Sequence, residues 1–362
     1  MQVRGVDLRP LRPAPERDAV IVIDQRALPH RLVQERLHTP AAVHTAIRDM
    51  WVRGAPLIGA TAAFGLALQA RSDASDGALA ACAALLRGAR PTAVNLGWAL
   101  ERMQTALRDR PVAERARAAW DAADALAEQD VAVNQAIGRH GLALLRDIAA
   151  RKPGPVQVLT HCNAGWLATV DWGTATAPIY QAHDQGLPLH VWVDETRPRN
   201  QGASLTAWEL GQAGVPHTLV ADNAGGHLMQ RGLVDIVIVG CDRVTARGDV
   251  CNKIGTYLKA LAAHDNGVPF YVAMPTSTLD LSLQDGQAEV AIEERSAREV
   301  THVWGRSAAG EVLEVQVAPD GTAAANPAFD VTPARLVSGL ITERGIVAAQ
   351  EGALRRLMEG TP

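Results

Sequence analysis

The sequence predicts an α/β protein: a mainly helical N-terminal domain over residues 1–150, then a domain over residues 151–362 built on a doubly wound parallel sheet. Three observations carry that expectation. Residues from about 39 to 150 are rich in Ala and Leu, with apolar positions at helical spacing. The second half alternates short β-branched runs with helical stretches, as strands joined by crossover helices do. Between the two textures lies RKPGP (151–155), whose prolines and glycine suit a domain boundary.

In order along the chain, VIVIDQRALP (20–29) reads as one short strand leading into a turn. The segments at 45–70 and 78–89 read as helices, with a break at Gly54-Ala55-Pro56. Pro91 breaks the pattern again before VNLGWALERMQTALRD (94–109) resumes it, and residues 112–150 read as two further helices. After the boundary, VQVLTHC (156–162), LHVWVDET (189–196), HTLVADN (217–223), DIVIVGCD (235–242) and PFYVAMP (269–275) read as strands. Their near-continuous apolar character fits a sheet covered on both faces. SLTAWELGQAG, GGHLMQRG and KIGTYLKALAAHDNG read as the helices between them.

Totals narrow the function. At 362 residues, 48% apolar and 20% charged, the chain has the composition of an ordinary globular protein. A net charge of −4 provides no electrostatic basis for binding nucleic acid or an anionic membrane. Four cysteines, at 82, 162, 241 and 251, form no CxxC pair, so free thiols and a reducing compartment are expected. The opening MQVRGVDLRPLRP lacks the apolar core of a secretion signal, and no run of 18 apolar residues occurs. The expected location is the cytoplasm. HxH, HExxH and GxxxxGK[ST] are absent, and no GxGxxG follows the first strand of the second half. No metal or cofactor is implied.

Polar residues collect where the apolar strands end: His161-Cys162-Asn163, Asp194 to Arg197, Asp222-Asn223, and Cys241-Asp242-Arg243. In a parallel sheet these ends meet on one edge and line a cleft. A lone cysteine is commonly a small core residue, but Cys162 stands where chemistry concentrates. Asp242 leaves an apolar strand for the same cleft; desolvation there would raise its pKa and let it act as an acid. The bland alternative for Asp242 is a loop cap or an ion pair with Arg243. His161 neighbours Cys162, but adjacent strand residues face opposite ways, so it is read as structural. Arg53-Gly54-Ala55-Pro56 combines a cation, a glycine that lets backbone N–H groups approach, and a proline suited to a first helical turn, which together suit a phosphate. Arg90 offers a second guanidinium. Asn252-Lys253 is expected at the start of the following helix, where a cation opposes the dipole and hints at a bound anion. A solvated surface charge is the competing reading for each.

Taken together, VRGAPLIG (52–59), RPTAVNL (90–96), THCNAG (160–165), DETRPRNQGA (194–203), LTAWEL (205–210), GCDRV (240–244), NKIGTY (252–257), NPAFDVTP (326–333) and GLITERG (339–345) resemble the methylthioribose-1-phosphate isomerases. The wider family includes regulatory subunits of translation initiation factor two B and ribose-1,5-bisphosphate isomerases. The resemblance implies a helical N-terminal domain, a Rossmann-like catalytic domain and a homodimer. It implies Cys162 and Asp242 as the catalytic pair, and Arg53, Gly54, Ala55, Arg90, Gln201, Asn252 and Lys253 as the residues holding the sugar phosphate. The reaction implied is isomerisation of 5-methylthio-α-D-ribose 1-phosphate to 5-methylthio-D-ribulose 1-phosphate in methionine salvage, with 5-deoxyribose 1-phosphate as a second substrate of similar shape. A ribose-1,5-bisphosphate isomerase and a non-catalytic initiation-factor-like subunit are the alternatives. Departures from the family pattern occur at Gly97, Ser204, Cys241, Cys251 and Ser296; of these, Gly97 and Ser204 are expected to bear on packing near the cleft.

Overall fold

The computed structural model describes residues 1–90 and 93–360, so the break expected at Pro91 lies outside the described residues. The chain begins with more strand than expected. A small hairpin (Gln2–Val3 and Val6–Asp7) precedes an antiparallel sheet of β1 (Leu11–Pro13), β2 (Val20–Ile23) and β3 (Gln34–Leu37), with β2 central. Only β2 is apolar at every position. The flanking strands carry charge and proline, so they lack the apolar pattern that marks a strand.

Helices follow: α1 (Pro40–Arg48), α2 (Ala55–Ser72), α3 (Asp76–Arg87), α4 (Val94–Arg108) and α5 (Val112–Ala149). α2 is apolar on nearly all sides and lies at the centre of this group, with Leu57, Phe64 and Leu66 fully enclosed. α5 corrects the expectation of two helices: it runs unbroken for 38 residues, roughly 57 Å at 1.5 Å per residue. It has no internal proline. Its glycines are not breaks but a crossing point. A Cβ at Gly138 would lie 2.3 Å from the Gln181 side chain and one at Gly141 2.4 Å from Pro178, both on the next helix, α6 (Ala177–Asp184). The first part of α5 packs Trp120 and Leu126 into the helical core, and the last part packs Ile137, Leu142 and Leu145 into the sheet's core.

The seven-stranded sheet contains β4 (Val156–Thr160), β5 (Leu189–Asp194), β6 (His217–Val220), β7 (Ile236–Val239), β10 (Phe270–Ala273), β15 (Gly339–Thr342) and β16 (Gly345–Val347). Its spatial order is β16-β15-β10-β7-β4-β5-β6; only the edge pair β15–β16 is antiparallel. Strand alternation sends Val156 and Val158 to one apolar core and Leu159 to the other, so both faces are covered. The intervening helices are α7 (Ala207–Gln212), α8 (Ala224–Gln230) and α9 (Thr256–Asp265). A second sheet, β11-β8-β9-β14, joins β8 (Arg243–Thr245), β9 (Val250–Lys253), β11 (Leu279–Asp280) and β14 (Phe329–Thr332). An outlying hairpin, β12 (His302–Arg306) with β13 (Val312–Gln316), and α10 (Glu351–Glu359) complete the chain.

The connection order explains where a site forms. From β4 the chain winds outward through β5 to β6, then returns to place β7 against the opposite edge of β4. The winding direction reverses there, and loops leaving the carboxyl ends of β4 and β7 diverge to open a crevice.

Candidate active site

Cys162 leaves β4 and Asp242 leaves β7, so the two adjacent strands deliver them to the same crevice. All nine sequence-predicted site residues line this one cavity: Cys162, Asp242, Arg53, Gly54, Ala55, Arg90, Gln201, Asn252 and Lys253. Met50, Ile58, Val94, Val290 and Phe329 make its apolar wall.

Cys162 is 8% exposed and has φ of 65°, a strained value for a residue with a side chain. Two threonines hold that backbone. Cys162 N donates to Thr196 Oγ1 at 2.8 Å, and the Thr206 hydroxyl donates to the Cys162 carbonyl at 2.6 Å. The thiol points to Gln201 Oε1 at 3.4 Å. Burial pushes its pKa up, with Arg53 and Lys253 pulling it back. Asp242 is half-buried on the cleft wall, its N–H donating to Cys251 O at 3.0 Å. Burial raises its carboxyl above the ordinary range against the cations Lys253, Arg90 and Arg53. Arg243 lies 3.6 Å from Asp280.

The turn at Arg53-Gly54-Ala55-Pro56 opens a helix, as its residues suggest. Gly54 has φ of +94° and a Cβ there would lie 2.4 Å from the Ala168 carbonyl, so only glycine fits; Pro56 sits in the first turn of α2. Arg53 is buried, donating from Nη1 to Asn163 Oδ1 and from Nη2 to Asn163 O at 2.7 Å. Arg90 pairs with Glu293 at 3.1 Å.

Asn252 and Lys253 require a correction. They lie on β9, not at a helix start, because Asn252 pairs with Asp330 and Lys253 with Phe329 of β14. Gly255, with φ of +100°, turns the chain before α9 begins at Thr256. The anion at that helix start is Asp330, which accepts from Gly255 N at 2.7 Å and Tyr257 N at 3.1 Å. Lys253 instead projects its ammonium 4.5 Å from the Phe329 ring centre, inside the cavity, where burial lowers its pKa.

His161 also borders the cavity, but both its ring nitrogens are engaged, with Asp194 Oδ2 at 2.9 Å and Ile254 O at 2.8 Å. His161, Asp194 and Asp222 form the one metal-like group among the described residues. Lys259 Nζ lies 3.2 Å from Asp194 and donates to Asp222 O, so an ammonium already occupies the cation's place. All four cysteines are free thiols. A Cβ at Gly97 would touch nothing within 4 Å, and the Ser204 hydroxyl donates to Asn200 O at 2.7 Å; neither lines the cavity. Glu209 and Glu293, beside the cavity, went unread in the sequence, and Asn163, read at the end of its strand, was given no role. The available signal for Glu209 was an acid among apolar neighbours in LTAWEL.

Comparison with known proteins places this geometry. Residues 51–349 match the Initiation factor 2 subunit family. Proteins named methylthioribose-1-phosphate isomerase are similar along nearly the whole chain. That of Rhodospirillum rubrum is 61% identical, covering 99% of this chain and 93% of its own, and that of Cereibacter sphaeroides is 63% identical, covering 94% of each. The crystal structure of 5-methylthioribose 1-phosphate isomerase from Pyrococcus horikoshii OT3 superposes with a TM-score of 0.85 at 38% identity, covering all of both chains. A structure titled translation initiation factor eIF-2B, subunit delta, from A. fulgidus superposes with a TM-score of 0.78 at 39% identity, covering 94% of this chain and 96% of its own. The chain belongs to the initiation factor 2 subunit family, on its methylthioribose-1-phosphate isomerase branch.

Proposed function

We propose that the protein is an aldose–ketose isomerase that converts 5-methylthio-α-D-ribose 1-phosphate to 5-methylthio-D-ribulose 1-phosphate in methionine salvage. The observation that carries this reading is a thiol and a carboxyl in one cavity lined by cations and by apolar residues. The cations suit the phosphate and the apolar wall suits the methylthio group. That wall also favours methylthioribose over a second phosphate at C5. 5-Deoxyribose 1-phosphate differs only in the apolar C5 substituent, and such pockets separate substrates by only about 1–3 kcal/mol per methylene; it is a second substrate.

The phosphate ester keeps the sugar from opening to a free aldehyde. Asp242 therefore donates a proton to the ring oxygen as the bond to C1 breaks. Hydrogen then moves from C2 to C1, and the 2-hydroxyl loses its proton as the C2 carbonyl forms, balancing the proton Asp242 gave. A buried thiol with a raised pKa rests protonated, which favours hydride passing between the carbons while Cys162 stabilises charge beside them. Arg53, Arg90 and Lys253 hold the phosphate with the backbone of Gly54 and Ala55, and Gln201 and Asn252 hold the sugar. Residues 1–150 act as a domain covering the cleft of the catalytic domain, 151–362, and excluding water from it. The working form is a cytoplasmic homodimer that binds neither nucleic acid nor membrane. Among the described residues no helix is long and apolar enough to cross a membrane.

The test is direct. Purified protein given methylthioribose 1-phosphate should yield the ketose, without solvent deuterium at C1 when the reaction runs in D2O. No ketose would overturn the function; deuterium at C1 would overturn the hydride route in favour of proton transfer by a Cys162 thiolate.

A further inference from the structure

A carboxylate that this reaction does not use lies beneath the cleft. Glu209, on α7, is fully buried. Its Oε1 accepts from Asn163 Nδ2 at 3.0 Å and Leu167 N at 2.8 Å; its Oε2 accepts from Trp166 N and the Tyr180 hydroxyl, both at 3.1 Å. Four such bonds fill a carboxylate's capacity and favour its ionised form. Burial opposes this and pushes the pKa up to about 7.

Asn163 stands between this carboxylate and the cavity. Its amide nitrogen donates to Glu209 and also to Thr206 Oγ1 at 3.1 Å, so its oxygen must face the other way. There it meets Arg53 Nη1, while Arg53 Nη2 donates to the Asn163 carbonyl. An asparagine amide fits either way round sterically, and its partners decide which end is which. Here Glu209 and Arg53 fix it from opposite ends: the reversed amide would set Oδ1 against the Glu209 carboxylate, acceptor against acceptor, and Nδ2 against the guanidinium, donor against donor. Burial also disfavours the charge on Arg53, and Glu209 is among the anions that offset this.

We propose that Glu209 is a positioning residue for Arg53: through Asn163 it sets the plane of the guanidinium and supplies counter-charge. The guanidinium's other N–H groups are then aimed at the substrate's phosphate. This rests on the assignment of Arg53 to phosphate binding.

Glu209→Gln introduces an NH2 group among four donors. In the full-length enzyme, KM for methylthioribose 1-phosphate should rise by about 10- to 100-fold, with a smaller fall in kcat. The Kd for inorganic phosphate should weaken in step. Asn163→Ser keeps the buried charge but cuts the relay, and should raise KM likewise; it carries the test if Glu209→Gln does not fold, as judged by thermal unfolding. Either variant, folded, with KM and phosphate Kd within about twofold of wild type would overturn the proposal. Arg53→Lys separates the two layers of the argument. An unchanged KM there means that Arg53 does not hold phosphate, and the underlying assignment falls. A raised KM in Arg53→Lys beside an unchanged one in Glu209→Gln leaves the assignment standing and ends the relay. The double variant should bind no worse than Arg53→Lys alone, because the relay acts only through Arg53; additive losses would mark Glu209 as merely structural and overturn its positioning role.

Discussion

At Asp242, burial raises the carboxyl's pKa, and the sign of its effect follows. The acid is present below the raised value and is lost as pH climbs through it, so turnover should decline on the alkaline side. The same shift makes folding stability fall over that range, since the unfolded carboxyl ionises earlier. Asp242→Asn should lower kcat by at least about 10²-fold while phosphate still binds, measured by ketose formation and by titration with inorganic phosphate. Near-normal turnover in that variant would remove Asp242 from the acid's role. Gly54→Ala should destabilise the protein by more than about 1 kcal/mol, because the new Cβ would strike the Ala168 backbone at a φ of +94°. Denaturant unfolding measures this. Gly54 and Pro56 were readable in advance because backbone geometry dictates residue type at such a turn. Asn163 was placed at its strand end, but its bond to Glu209 was not readable, since the two are distant in sequence and adjacent only after folding.

Among the elements, α2 and α5 carry the helical half. Phe64 on α2 is 1% exposed and meets Trp120 of α5 with ring centres 5.7 Å apart. Phe64→Ala should cost about 3–5 kcal/mol in denaturant unfolding, the range for an aromatic removed from a packed core. Gly141→Leu should cost about 1–3 kcal/mol by forcing α5 away from Pro178 of α6. A cost near zero would mean that α6 can slide along α5. Spaced glycines weaken a helical pattern, and only the crossing of α6 reveals these as a contact. Lys253 was misplaced for a related reason. β9 is short, with its polar end directly before a turn, and its pairing with β14 lies some eighty residues away.

Over the whole molecule, a chain of ion pairs borders the cleft. Arg90, just before α4, binds Glu293; Arg295 binds both Glu293 and Glu299; Glu299 binds Arg199, two residues before Gln201. Glu293 occupies a guanidinium assigned to phosphate. Glu293→Gln should therefore lower KM for the sugar phosphate, by up to about fivefold for a partly exposed pair, with a smaller effect at high salt. A raised KM would mean instead that Glu293 holds Arg90 in its binding position.

Local physics made much of this protein readable as a string. Apolar runs, helical spacing and punctuation by glycine and proline identified five of the six parallel strands and most helices, since such patterns are properties of residues close in the chain. Polar strand ends, the turn at Arg53 and the family resemblance together pointed to nine of the residues that line the cavity. Folding alone settled three things: that α5 spans two cores, that Asn252 and Lys253 belong to a strand, and that Glu209 reaches Arg53 through Asn163. Each depends on contacts between distant segments, whose energy is set by who meets whom in space and leaves little trace in local pattern.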